Sequence, residues 1–71
     1  MAIFKVSYVI IGNDDPGAIV NQERPPRPGD QVQLGSRYYQ VVEVMELMPP
    51  RGDFHYYHAT CRPIPKPPPP V

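Results

Sequence analysis

Polar and apolar positions alternate along residues 2–11, AIFKVSYVII. Ala2, Phe4, Val6, Tyr8 and Ile10 share one parity, while Lys5 and Ser7 hold the other. A period of two filled with β-branched and aromatic residues predicts a half-buried strand. Val9 and Ile11 make the second parity apolar as well, so the end of this strand is expected to be covered on both sides. The turn formers Gly12-Asn13-Asp14-Asp15-Pro16-Gly17 stop it. Ala18-Ile19-Val20 then reads as a short strand folding back on Val9–Ile11.

Prolines in Glu23-Arg24-Pro25-Pro26-Arg27-Pro28-Gly29-Asp30 bar that segment from a sheet interior. Pro28-Gly29 suits the centre of a type II turn. Gln31-Val32-Gln33-Leu34 alternates cleanly, with Val32 and Leu34 facing inward, and Gly35-Ser36 signals a two-residue hairpin turn. Arg37 to Met48, RYYQVVEVMELM, is the longest β-type run, and its parity changes along the way. Val42 and Val44 are even, whereas Tyr39, Val41, Met45 and Leu47 are odd. Glu43 and Glu46 also differ in parity, so both reach water only with a bulge or bend between them. Pro49-Pro50-Arg51-Gly52-Asp53 reads as a turn, Phe54–Arg62 as an aromatic-rich last strand, and PIPKPPPPV as a polyproline II or disordered tail.

No segment keeps a helical period. The expectation is an all-β domain of four to five antiparallel strands, in a meander or a small barrel that hides its edges. The order Pro28-Gly29-Asp30, short strand, Gly35-Ser36, long strand over residues 28–44 resembles SH3-like small barrels. That resemblance implies architecture only, since fold alone does not carry function. The expected organisation is a small SH3-like barrel over residues 1–62 and a proline-rich C-terminal tail over residues 63–71.

Composition narrows the function. A chain of 71 residues is one small domain, and six of its 12 prolines fall between Pro63 and Pro70. Seven basic and seven acidic residues cancel, so no general field draws the chain to nucleic acid or an anionic membrane. Val9-Ile10-Ile11 is the longest aliphatic run, far short of a membrane span. The start, Met1-Ala2-Ile3-Phe4-Lys5, lacks a basic region followed by an apolar stretch, and the expected location is cytoplasmic. One cysteine makes no internal disulfide.

Catalytic chemistry finds little to work with. Cys61 with His55 and His58 is the only nucleophile-and-base set in the sequence. On a strand, His58 and Cys61 point to opposite faces, and His55 lies roughly 20 Å along the chain from Cys61. His55 and His58 likewise diverge, so they do not share a metal. Asn13-Asp14-Asp15 lacks the spaced carboxylates of a calcium loop. Arg51-Gly52-Asp53 is read as turn chemistry. No enzyme, metal or cofactor is expected.

Binding surfaces are better supported. Tyr38-Tyr39 and Tyr56-Tyr57 are consecutive pairs on strands, so one tyrosine of each pair must face outward. Tyr57, on the parity of Ala59 and Cys61, is the core candidate of its pair, and Tyr39 is the core candidate of the other unless the bend in that strand exchanges it with Tyr38. Tyr56, His58 and Arg62 then form an outer stripe, with Arg37 and Tyr38 beside it. Exposed Tyr and Arg are enriched at protein interfaces, which predicts a non-catalytic protein-interaction module serving as an accessory or regulatory subunit. A thin core also gains from self-association. Two alternatives use the same residues differently. One is weak single-stranded nucleic-acid binding by the tyrosines with Arg37 and Arg62. The other makes the tail a ligand for a polyproline-binding domain through Arg62, Pro65 and Pro68.

Overall fold

A computed structural model describes residues 2–12 and 16–68. Five strands, β1 (Ile3–Ile10), β2 (Ala18–Gln22), β3 (Gln31–Leu34), β4 (Arg37–Arg51) and β5 (Phe54–Ile64), form one sheet ordered β2-β1-β5-β4-β3. The sheet curls into a half-barrel and leaves β2 and β3 as its two edges. Among the described residues no helix is long and apolar enough to cross a membrane.

Glycine shapes both tight hairpins. Gly35 has φ 66° and Gly52 φ 59°, and each opens a two-residue turn, between Leu34 and Arg37 and between Arg51 and Phe54. Positive φ at the first central residue alone is the II′ geometry that follows strand twist. Arg51-Gly52-Asp53 is therefore part of a hairpin apex. At Pro28-Gly29, Asp30 N–H donates to the Arg27 carbonyl at 3.1 Å with Gly29 at φ 94°, as type II requires.

The end of β1 is covered on one side only, since Val9 and Ile11 are exposed, and four larger features also depart from the sequence reading. First, β1 and β5 pair in parallel, Ile3 opposite Phe54 through Ile10 opposite Cys61, whereas the other three pairings are antiparallel. The β1 strand inserts beside the last strand because both carry apolar residues at matched spacing: Val6 with Tyr57, Tyr8 with Ala59, Ile10 with Cys61.

Second, β2 pairs with Phe4–Tyr8 rather than Val9–Ile11. This register sets Val20 beside Val6 and lets the Tyr8 hydroxyl donate to Gln22 Oε1 at 2.7 Å. The connection is also closed by contact, because Gly17, at φ 70°, lies against the Tyr8 carbonyl. Residues 13–15 of that loop, the Asn13-Asp14-Asp15 considered above for calcium, lie outside the described residues.

Third, the bulges flank the two glutamates instead of separating them. Val41 and Glu43 face the consecutive residues Cys61 and Thr60, so Val42 is an extra residue, and Leu47 is another between Glu46 and Met48. The first bulge puts Val41 and Val44 on one face despite their opposite parity. Glu43 points outward, and Glu46 stays on the inner face beside Tyr57, at the open end of the half-barrel.

Fourth, both long strands run further than expected. Pro49 and Pro50 belong to β4, whose far arm pairs only with β5 and so can carry residues without an N–H donor. Pro63 and Ile64 belong to β5, opposite Tyr39 and Tyr38, which moves the start of the tail from residue 63 to residue 65.

The core lies on the concave face. Val6, Tyr8, Ile10, Tyr39, Val41, Ala59 and Cys61 are buried, with Phe4, Val20, Val32, Leu34, Val44 and Tyr57 packed against them. Few of these side chains are large, so each one matters, at about 1.5–3 kcal/mol per fully buried apolar side chain.

Candidate functional site

Because side chains alternate along each strand, placing Val6, Tyr57, Val41 and Val20 inside forces their neighbours onto the convex face. Register lines these neighbours up in rows. One row runs Asn21, Lys5, Tyr56 and Met48; the next runs Ile19, Ser7, His58 and Met45. Ile3 and Phe54 close the row at one end, and Val9, Thr60 and Glu43 form the row on the other side. Much of this surface is apolar and uncovered: Ile19 is 63% exposed, Met45 54%, Ile3 47%, Met48 43% and Phe54 38%.

Further along β5 the character changes. Arg62, Gln40 and Gln31 form one row, and Ile64, Tyr38 and Gln33 the next. Arg62 is tied to Gln40 Oε1. The convex face thus has an apolar half centred on Tyr56 and a polar half around Arg62.

The outer stripe read from the sequence is split by this division. Tyr56, His58, Arg62 and Tyr38 do share the convex face, and Tyr39 lies inside, 2% exposed. Tyr56 and Arg62 are six residues apart on one strand, however, roughly 20 Å. Tyr56 and His58 join the apolar half, and Tyr38 and Arg62 the polar half. Arg37 does not join either, since it stands opposite Leu34 on the parity of Tyr39 and lines a cleft at the β3–β4 hairpin. Arg62, Pro65 and Pro68 are not one continuous polyproline element either, because Arg62 and Pro63 sit in β5.

Local contacts hold the apolar half in place. The Lys5 ammonium lies 5.6 Å from the Tyr56 ring centroid, a cation–π distance that covers one side of the ring. His58 Nε2 and Thr60 Oγ1 are 3.1 Å apart. Met45 and Met48 had no weight in the sequence reading, because bulges at Val42 and Leu47 scramble parity there. The readable signal was their spacing relative to His58 and Tyr56 across a hairpin, which requires the register.

On the concave side, Phe4 and His55 stack with centroids 4.5 Å apart, and His55 and Tyr57 lie at 6.4 Å. His55 Nδ1 is buried there with no hydrogen-bond partner. Burial pushes the Tyr57 phenol up, and the charge of Glu46 and a hydrogen bond with it push the same way. Cys61 is fully buried, its Sγ 3.8 Å from the Ala59 carbonyl, and desolvation raises its thiol. His58 is on the opposite face of the sheet from Cys61.

Comparison with family models, curated proteins and solved structures finds no match for this chain. The functional reading therefore stands on the geometry alone.

Proposed function

We propose that this chain is a non-catalytic protein-interaction module, an accessory or regulatory subunit in the cytoplasm, that docks its partner on the apolar half of the convex face. The observation that carries this reading is the set of exposed side chains on the rows at and beside Tyr56: Ile3, Phe54, Met48 and Met45. A small monomer gains nothing from leaving several large apolar side chains of one face in water. Methionines adapt to irregular partner surfaces, and a half-buried tyrosine steadied by Lys5 has the character of an interface anchor.

Single-stranded nucleic-acid binding has less support, because Lys5 is the one cation in the two rows that hold Tyr56 and Met45. The polyproline-ligand reading has less support, because Arg62 sits in β5 rather than in one polyproline element with Pro65 and Pro68.

The test compares wild-type, Met45→Lys and Tyr56→Ala proteins in affinity capture from the native organism, with thermal unfolding measured alongside. Met45 is exposed, so its replacement should move stability by no more than about 0.5 kcal/mol. The same captured protein should weaken by about 1 kcal/mol or more with each variant. Its retention should be insensitive to salt, whereas nucleic-acid binding falls steeply. An unchanged capture profile with both variants folded would sink the reading.

A further inference from the structure

Among the described strands, the far arm of β4 and the edges β2 and β3 each lack a neighbour on one side, and they are not alike. The far arm of β4 carries Glu43, Glu46, Pro49 and Pro50 and two register shifts, the features that stop an edge from recruiting another strand. The edges β2, Ala18-Ile19-Val20-Asn21-Gln22, and β3, Gln31-Val32-Gln33-Leu34, hold no charge, no proline and no bulge. Each leaves a row of N–H and C=O groups outside the ladder.

One cleft of about 560 Å³ lies between the start of β2 and the end of β3. Ala18 and Val20 line it from β2, Gln33 and Leu34 from β3, and the buried Tyr39 is its floor. It is the seam at which the half-barrel would close. Arg37 is the only formally charged side chain among the lining residues.

We propose that this seam is a strand-addition site, which takes an extended segment of a partner protein with a carboxylate opposite Arg37. The four residues of β3 set the length of the paired segment, about 13 Å of extended chain. Backbone hydrogen bonds to the edge supply affinity, and alternate small apolar side chains face Val20, Leu34 and Tyr39. The strand directions leave one choice open: β2 and β3 run opposite ways, so an inserted strand is antiparallel to one and parallel to the other. This site is separate from the convex face.

The experiment titrates the isotope-labelled full chain with a pool of acetylated pentapeptides. These alternate Val or Thr with Ala or Gly and end in a free Asp. The expected result is saturable amide shifts at Gln31–Leu34 and Ala18–Gln22, with slowed hydrogen exchange there. Arg37→Gln should weaken binding about tenfold, the loss of one charge-assisted hydrogen bond, and backbone N-methylated peptides should not bind. The proposal is overturned if no seam shift saturates below about 1 mM, or if N-methylated peptides bind equally well. Unchanged affinity in Arg37→Gln removes the carboxylate. Shifts confined to the Met45 and Met48 methyls would place the peptide on the convex face and leave the seam without a role. Protection that grows with protein concentration alone would make a second copy the occupant and overturn the partner assignment.

Discussion

Tyr38 and Tyr39 are adjacent in the chain and opposite in consequence, which makes them a sharp probe of the fold. Tyr39 is 2% exposed, sits opposite Val32 and Pro63, and packs in the same cluster as Val41 and Cys61. Truncating a buried aromatic to alanine removes its transfer free energy and leaves a cavity, about 3–5 kcal/mol together. The whole stability expected for a chain this short is roughly 4–11 kcal/mol. Tyr39→Ala should therefore lower the melting temperature by at least about 12 °C, given about 4–8 °C per kcal/mol at this size. Tyr38 is half-buried on the convex face beside Ile64. Its truncation should cost about 1 kcal/mol or less. The assay is thermal unfolding by circular dichroism, with urea unfolding to check that the slope is unchanged. If Tyr38→Ala is the more damaging variant, β4 presents its other face to the core. In that case Met45, Met48 and Tyr56 are not where the interaction surface needs them.

Two further outcomes follow from the backbone and from ionisation. Gly17→Ala would bring a Cβ 2.0 Å from the Tyr8 carbonyl oxygen at φ 70°, whereas Gly12→Ala, at φ 67°, meets nothing within 4 Å. Both pay about 1–2 kcal/mol for the left-handed backbone, but only Gly17→Ala should also speed amide exchange along β2; equal exchange in both variants would refute the close contact. Tyr8, Tyr57 and Cys61 all hold their protons more tightly in the folded chain, chiefly through burial, from ordinary values of 10.0, 10.0 and 9.0. A raised folded value adds stability below the unfolded one and loses it as pH climbs through the folded one. Melting temperature should thus hold up to about pH 9 and fall beyond it, and a flat profile to pH 11 would contradict the burial of these groups.

Alternation was enough to find β1 and β3, though not the far ends of β4 and β5. AIFKVSYVII and QVQL read as strands because a period of two is a local property of the chain. The hairpins at Gly35-Ser36 and near Gly52-Asp53 follow from glycine's access to positive φ, also a local matter. That Tyr38 and Tyr39 face opposite ways, as do Tyr56 and Tyr57, needs only strand alternation, whereas the burial of Tyr39 rather than Tyr38 was settled by packing.

Pairing is a different kind of fact. The parallel contact of β1 with β5 joins residues about fifty positions apart, and no local pattern encodes which of several matching apolar rows a strand will choose. The bulges at Val42 and Leu47 are likewise invisible until β5 supplies the ladder they interrupt. For that reason Met45 and Met48 could not be assigned to the face of Tyr56, whereas Arg37, as the strand neighbour of Tyr38, was already bound by alternation to the opposite face. Local chemistry determined that this chain would be strands and turns. The long-range ladder decided which side chains share a surface, because a face is made by register between strands, and register is settled by packing the core.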